Sequence, residues 1–418
     1  MAGQLVSIPA EQLLKQPLTV PNEEASEPER LTVQQMTVQQ TYGLDHEVPQ
    51  QLAPVDAPAP SAGDLAVLDQ MLITLVESRG SDLHLTVGSP PMIRVDGGLR
   101  PLPGYGKLNS ADTALLCRAA VNPEQWETFQ RDQEMDFAHS IIGVSRFRGN
   151  LYVQRNSCGA VFRAIPHKIK PLDELGMPDS VARFAHLPRG LVLVTGPTGS
   201  GKTTTLASVL DLANRTRPAH IITIEDPIEF LHPHKRSVVN QREVGADTDN
   251  FASALKHALR QDPDIILVGE LRDLETTATA LTAAETGHLV LATLHTQSAT
   301  QTIDRVIDIF PPHQQLQIRA QLAASLQGVV TQALAPKADG KGRVVVSEIL
   351  TATPAIRSLI REGKSHQIPS FMQAGGNEGM LAFDQHLAER VREGLVTLQT
   401  ALEICHSQEE LKRLIGRM

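Results

Sequence analysis

The chain has 418 residues, 41% of them apolar and 20% charged, with a net charge of −9 and three cysteines. That length suits two or three domains at about 150 residues each; no run approaches the ~20 apolar residues of a membrane-spanning helix, and no secretory signal opens the chain, which points to the cytosol. Cys117, Cys158 and Cys405 are too few and scattered for a disulfide framework or a Cys-x-x-Cys metal site, and aromatics at 3% are too sparse to stack single-stranded nucleic acid.

Residues 1–62 hold eight acids and two bases, a charge of −6 that leaves only −3 for the rest, with eight prolines and nine glutamines. The near-repeat from Thr32 to Gln40 and the Pro/Ala run at 53–60 are low-complexity sequence. Such a segment cannot bury enough apolar surface to offset its ordering entropy, so a disordered Gln/Pro-rich tail is expected. A short partner-binding motif around Leu13–Val20 is the alternative. The nearly neutral remainder exerts no overall pull on nucleic acid.

From Asp64 the pattern changes. Leu65, Leu68, Leu72 and Leu75 recur at helical spacing, Leu83–Val87 alternates as a strand, and further strands read at Ser145–Gln154 and Ala160–Ile165. Residues 63–170 therefore form a mixed α/β domain, and 171–189, with Pro171, Pro178 and Pro188, a linker. Residues 190–418 form the last unit. There the apolar runs Leu191–Thr195, Ile221–Glu225, Ile265–Val268 and Leu289–Leu294 alternate with helical patterns, as in a parallel sheet covered on both faces. Beyond about residue 350 the chain reads as helical; Thr353 is placed to cap a helix beginning at Pro354, with Ile356, Leu359 and Ile360 on one face.

Gly196-Pro197-Thr198-Gly199-Ser200-Gly201-Lys202-Thr203 fits G-x-x-x-x-G-K-[ST], follows an apolar strand and runs into a helix at Thr204–Asn214. Glycines at these positions let backbone N–H groups turn inward and cradle a phosphate at the positive end of the helix. Lys202 neutralises β- and γ-phosphate oxygens, and the Thr203 hydroxyl ligates Mg²⁺, so ATP and Mg²⁺ are the expected ligands. The strand ending Asp264-Ile265-Ile266-Leu267-Val268-Gly269-Glu270 delivers an acid to the edge where open α/β sheets bind ligands. Glu270 is placed to orient or deprotonate water, and Gly269 stands where many such enzymes carry a metal-organising Asp. Glu225, leaving its strand toward Asp226 and Glu229, is the second acid. His295 ends a strand that starts after His288 and could sense the γ-phosphate; His232 and His234 flank Pro233 in a loop that reads as exposed.

Together these segments resemble the secretion ATPases of the type II/type IV family, most closely its twitching-motility, pilus-retraction branch. The resemblance rests on the phosphate loop at 196–203, the acidic box at 221–229, the strand-end acid at 264–270, the histidine box at 287–296 and Ser81-Asp82-Leu83-His84-Leu85. It implies a PAS-like N-terminal domain joined to a RecA-like ATPase domain with C-terminal helices, assembled as a homohexamer with ATP between the domains. It also implies that arginines complete the site: Arg146, Arg148, Arg155 and Arg163 fall in the matching segment, and a fixed guanidinium there would stabilise transition-state charge. Arg260 and Arg272 are lesser candidates. Assembly-type relatives carry a tetracysteine zinc module; here only Cys405 lies beyond residue 158, so no zinc is expected. The retraction branch is marked by a helix reading AIRNLIRE, and this chain has Ala355-Ile356-Arg357-Ser358-Leu359-Ile360-Arg361-Glu362. Arg357 and Arg361, four apart, share a helix face and read as a working surface. The expectation is thus an ATP-driven retraction motor at the cytoplasmic face of the inner membrane. It would act on a membrane platform protein within the pilus assembly machinery, with no specific nucleic acid. Another secretion or assembly motor, a nucleic-acid translocase and a non-hydrolysing paralogue remain the alternatives.

Overall fold

Ser61 opens the first helix, Ala62–Glu77, through reciprocal hydrogen bonds with Asp64. Asn109 and Asn122 cap the helices Ser110–Ala119 and Pro123–Asp132 in the same way. The structure, a computed structural model, describes residues 59–166 and 168–416. Residues 1–58 of the tail read at 1–62, the partner motif included, lie outside the described residues, while Ser61 caps and Ala62 begins the first helix. Leu68, Leu72 and Leu75 are buried with Met71, whereas Leu65 of the same spacing is 39% exposed, so the apolar stripe is narrower than its period suggested.

The three helices pack on a six-stranded antiparallel sheet of β1 (Asp82–Leu85), β2 (Met92–Val95), β3 (Gly98–Pro101), β4 (Glu134–Ile141), β5 (Ser145–Gln154) and β6 (Ser157–Ala164), ordered β3-β2-β1-β6-β5-β4. Alternation along β5 sends Phe147 and Leu151 under the helices, while Arg146 and Arg148 stand on the other face. Phe162 of β6 lies edge-on to Phe137, with ring centres 5.8 Å apart.

A second sheet holds seven strands: β7 (Gly190–Thr195), β8 (His220–Glu225), β9 (Val238–Glu243), β10 (Ile265–Val268), β11 (Leu289–Leu294), β12 (Leu326–Pro336) and β13 (Arg343–Thr351), in the order β13-β12-β7-β11-β10-β8-β9. Its central strands are buried on both faces. Leu191, Ile222, Ile266 and Val290 point into one core with the helices Phe251–Ala258, Leu274–Thr286, Ala299–Asp308 and Pro312–Ser325. Val192, Ile221, Ile265 and Leu289 point into the opposite core, against the helix Lys202–Thr216. Three helices, Phe383–Arg392, Leu398–Ile404 and Gln408–Ile415, build a further core against Ala335 of β12 and Val346 of β13.

Two further sequence readings need correction. The sheet is parallel except at its edge, where β13 runs antiparallel to β12 in a hairpin that the apolar-run pattern did not separate from the helices around it. The stretch 171–189 is more than a linker: a 3₁₀ helix at Asp179–His186 buries Val181, Phe184 and Ala185 in the sheet's core. The ring of Phe184 approaches so near Gly328 that a Cβ there would lie 2.4 Å from it.

Candidate active site

The phosphate-loop sequence sits between the end of β7 and the start of the helix Lys202–Thr216, two residues earlier than its sequence pattern indicated. Gly196, Gly199 and Gly201 have φ of 140°, 78° and 88°, conformations that L side chains rarely adopt. At Gly196 space is also decisive, because a Cβ would stand 2.2 Å from the Gln332 carbonyl oxygen of β12. The first turn of the helix thus presents N–H groups without intrahelical partners, at its positive end. Lys202 Nζ donates to the carbonyls of Gly196 and Pro197 at 2.9 and 3.2 Å and lies 3.5 Å from His295 Nδ1. Burial pushes its pKa down, against the upward pull of Glu270 and Glu229.

Glu270, just past β10, meets Arg272 at 2.8 Å and His295 at 3.0 Å. Burial pushes its carboxyl upward, but hydrogen bonds and charge from Arg272 and His295 outweigh it and hold the group below the usual glutamate range. The adjoining Gly269 leaves no comfortable room for a side chain, since a Cβ would come 3.2 Å from the Ile224 carbonyl and 3.4 Å from the Glu225 Cα. The close approach of β8 and β10 therefore accounts for glycine at the position where many such enzymes carry an Asp. Glu225 ends β8 almost fully enclosed; Thr223 Oγ1 and Gln241 Nε2 donate to it at 2.6 and 3.0 Å, and burial raises its pKa.

A cleft of about 450 Å³ joins these groups: Lys202, Thr203, Glu225, Glu229, Glu270 and His295 all line it, with Thr198, Gly199, Gly201 and Thr204. Ser200 is buried within the loop, and Gly196 and Pro197 contribute the carbonyls that Lys202 holds. The ends of β7, β8, β10, β11, β12 and β13, or the loops that leave them, thus converge on one volume.

The N-terminal arginines are elsewhere. Arg146 reaches from β5 to Glu243 of β9 at 3.2 Å, and Glu243 in turn accepts from the Ile228 backbone N–H in the acidic loop. Arg148 lies 3.7 Å from Asp136, Arg163 bonds Asp82 at 2.8 Å, and Arg155 occupies the exposed β5–β6 turn. None of the four lines this chain's cleft. Among the described residues, the arginines that do are Arg272 and Arg343. Arg343 went unnoticed because its strand, β13, was not recognised. His232 also corrects its reading: it is buried, lines the cleft, and burial pushes its imidazole down to about 4. His234 is exposed as read.

The helix Pro354–Arg361 is capped by Thr353 and buries Ile356, Leu359 and Ile360, with Ala355 outside. Its arginines do not form one working surface. Arg357 turns inward, donating to the carbonyls of Ala323, Ala324 and Ala352 at 2.6, 2.8 and 3.0 Å. It thus ties off the C-terminal end of the helix Pro312–Ser325. Arg361 alone is exposed, 3.1 Å from Ser358 Oγ.

Comparison with known proteins agrees with this architecture. The pattern of the type II/IV secretion system protein family matches residues 156–403. The type IV pilus retraction ATPase PilT of Pseudomonas aeruginosa is 51% identical over 80% of this chain and 97% of its own. The twitching motility protein of Neisseria gonorrhoeae is 47% identical over 77% of this chain and 86% of its own. Among solved structures, the pilus retraction motor PilT with bound ADP superimposes with a TM-score of 0.76 at 47% identity, covering 84% of this chain and 98% of that one. The Legionella pneumophila ATPase DotB gives a TM-score of 0.72 at 26% identity, over 84% of this chain and 97% of its own. The chain belongs to the type II/IV secretion ATPase family, in the company of its pilus retraction ATPases.

Proposed function

We propose that this chain is an ATP-hydrolysing motor that retracts type IV pili. The observation that carries the reading is the cleft itself: a phosphate loop facing a strand-end glutamate that is held ionised by Arg272 and His295. The glycines and first helical turn bind the β- and γ-phosphates, and Lys202 exchanges its carbonyl partners for phosphate oxygens. Glu270 takes a proton from the water that attacks the γ-phosphorus, giving ADP and phosphate, and then releases that proton to solvent. His295 holds Glu270 in place and lies next to Lys202.

The residues also fit Mg²⁺. Thr203 opens the helix toward the cleft, and Glu225 and Glu229 supply carboxylates in a volume that otherwise gathers like charge. Bound there, the ion would neutralise phosphate charge.

In this reading the β1–β6 region is the PAS-like domain and the β7–β13 region the RecA-like domain, assembled as a homohexamer at the cytoplasmic face of the inner membrane. Arg146, Arg148, Arg155 and Arg163, all outside the chain's own cleft, are then candidates to complete a neighbour's site. Nucleotide-driven closure of the two domains transmits force to a membrane platform protein and so promotes pilin disassembly. Arg361 and the outer side of the helix Pro354–Arg361 are the surface offered to that machinery.

The test is to delete the gene, replace it with Lys202→Ala in a second strain, and count surface pili by electron microscopy. Excess pili on non-twitching cells are expected in both; bald cells would reverse the direction of the motor. The purified Lys202→Ala protein should lose ATP hydrolysis.

A further inference from the structure

The phosphate loop has two braces of different kinds. The front brace, Lys202 Nζ on the Gly196 and Pro197 carbonyls, uses the group that phosphate must claim, so it is surrendered when nucleotide binds. The rear brace comes from outside the motif. Gln332 of β12, 2% exposed, donates from Nε2 to the Ser200 carbonyl at 2.7 Å. Its strand runs beside β7 in parallel register, Thr331 opposite Thr195, which carries Gln332 to the start of the loop. The contact is tight on both sides: a Cβ on Gly201 would lie 3.2 Å from Gln332 Nε2, and one on Gly196 would collide with the Gln332 carbonyl.

Buried polar groups without partners are costly. Gln332 Oε1 and Ser200 Oγ are both buried without one, so the two residues joined by this bond carry unfilled capacity at the base of the loop. A position that only filled space would be served by leucine or methionine, which bring no amide oxygen to leave unpaired but cannot donate to the Ser200 carbonyl. A loop containing three positive-φ glycines, by contrast, gains order from a fixed hydrogen bond on its far side.

We propose that Gln332 is a positioning residue of the nucleotide site, holding the phosphate loop in its binding shape through Ser200 O. The inference rests on the reading of the cleft as an ATP site. It acts on binding: the loop's N–H groups stay aligned after Lys202 has turned to the phosphates.

The test compares the full-length wild type with Gln332→Leu, Gln332→Met and Thr331→Val. Steady-state ATP hydrolysis gives KM and kcat, titration with a fluorescent ADP analogue gives Kd, and thermal melting monitors folding. Loss of one buried hydrogen bond to the loop should raise KM and Kd about tenfold in both Gln332 variants, with kcat changed less than about threefold. Thr331→Val removes a hydroxyl that meets Thr195 Oγ1 at 2.8 Å just before the loop and leaves the Gln332 brace intact, so its KM should rise less than in the Gln332 variants. Unchanged KM and Kd in the Gln332 variants would overturn the proposal. So would an equal KM rise in Thr331→Val, which would assign the effect to the strand. Two Gln332 variants of different shape guard against one misfolding. A wild type that neither binds nor hydrolyses nucleotide would instead remove the functional reading beneath.

Discussion

The two sheets of this molecule treat polar side chains in opposite ways. In the second sheet β7, β8, β10 and β11 are buried along their whole length on both faces apart from His220, so chemistry is confined to where the strands stop. Glu225, Glu270 and His295 all occupy such ends and meet in one cleft. The β1–β6 sheet buries one face only and spreads its charges along the other, where two find partners within the sheet, Arg163 with Asp82 and Arg148 with Asp136, and Arg146 reaches Glu243 of β9. A residue's role can thus be read from position in the parallel sheet, whereas in the antiparallel sheet position reveals only the face.

The sharpest division between the two follows from removing the strand-end acid. Glu270→Gln should lower kcat by about 10²–10⁴ while KM changes little, because it removes proton transfer and leaves the phosphate cradle. Steady-state kinetics decides it; an equal loss from Arg163→Ala measured on the isolated chain would erase the distinction between the sheets. The pH profile adds a sign. The folded pKa of Glu270 is depressed, so its ionised form is present above the ordinary glutamate range and activity falls only when pH drops below that range. In Arg272→Ala one hydrogen bond and one charge that hold the pKa down are gone while the effect of burial remains, so the acid limb of the rate profile should move to higher pH. An acid limb that stays put would detach Glu270 from the reaction.

Next in size is the core of the antiparallel sheet. Phe162 is fully buried against Phe137, and Phe162→Ala should cost about 3–5 kcal/mol in denaturant unfolding. A loss confined to stability, with nucleotide affinity intact in the protein that remains folded, would keep the two sheets separate in function as well as in layout.

Much of this division was legible beforehand, for a physical reason. Fully buried parallel strands are continuous apolar runs, and a phosphate loop needs glycines at fixed spacing, so β7, β8, β10, β11 and the residues from Gly196 to Thr204 stand out locally. The Thr353 cap was legible as well, because capping is decided within four residues. What escaped depends on pairing distant in sequence. Gln332 reaches the phosphate loop, and Arg343 the cleft, only because β12 lies beside β7 and β13 beside β12. His232 sits between Leu231 and Pro233 in a loop, and nothing local told that Gln241 of β9 would draw it inward by accepting from its backbone N–H at 2.8 Å. The i, i+4 spacing of Arg357 and Arg361 placed them on one side of a helix without saying that one guanidinium would be spent on another helix's carbonyls.

That last case gives the next prediction. Arg357→Ala strips three carbonyls, those of Ala323 and Ala352 in part-buried bonds and that of Ala324 in an exposed one, of their donor and should destabilise the protein by about 1–3 kcal/mol, measured by urea unfolding. Arg361→Ala, on the exposed side of the same helix, should leave stability within about 0.5 kcal/mol. If Arg361→Ala nevertheless abolishes twitching, the helix works through its outer surface and Arg357 serves to hold that surface in position. If both substitutions prove stability-neutral, the inward turn of Arg357 is not what anchors the helix.

The smallest effect is expected where the open face of the antiparallel sheet is most solvated. Arg148 and Asp136 are 3.7 Å apart with side chains 49% and 61% exposed, so their attraction is screened by water and offset by the entropy of holding two long side chains. Arg148→Ala should therefore change unfolding free energy by no more than about 0.5 kcal/mol. Any loss of ATP hydrolysis it causes cannot then be a folding defect. If the rate falls in the assembled protein but not under conditions that keep chains apart, Arg148 acts across a boundary between copies, and the open face of the first sheet gains a chemical role that its position alone did not disclose. If the rate is unchanged in both, Arg148 is a solvated surface charge, and the search for a completing arginine narrows to Arg146, Arg155 and Arg163.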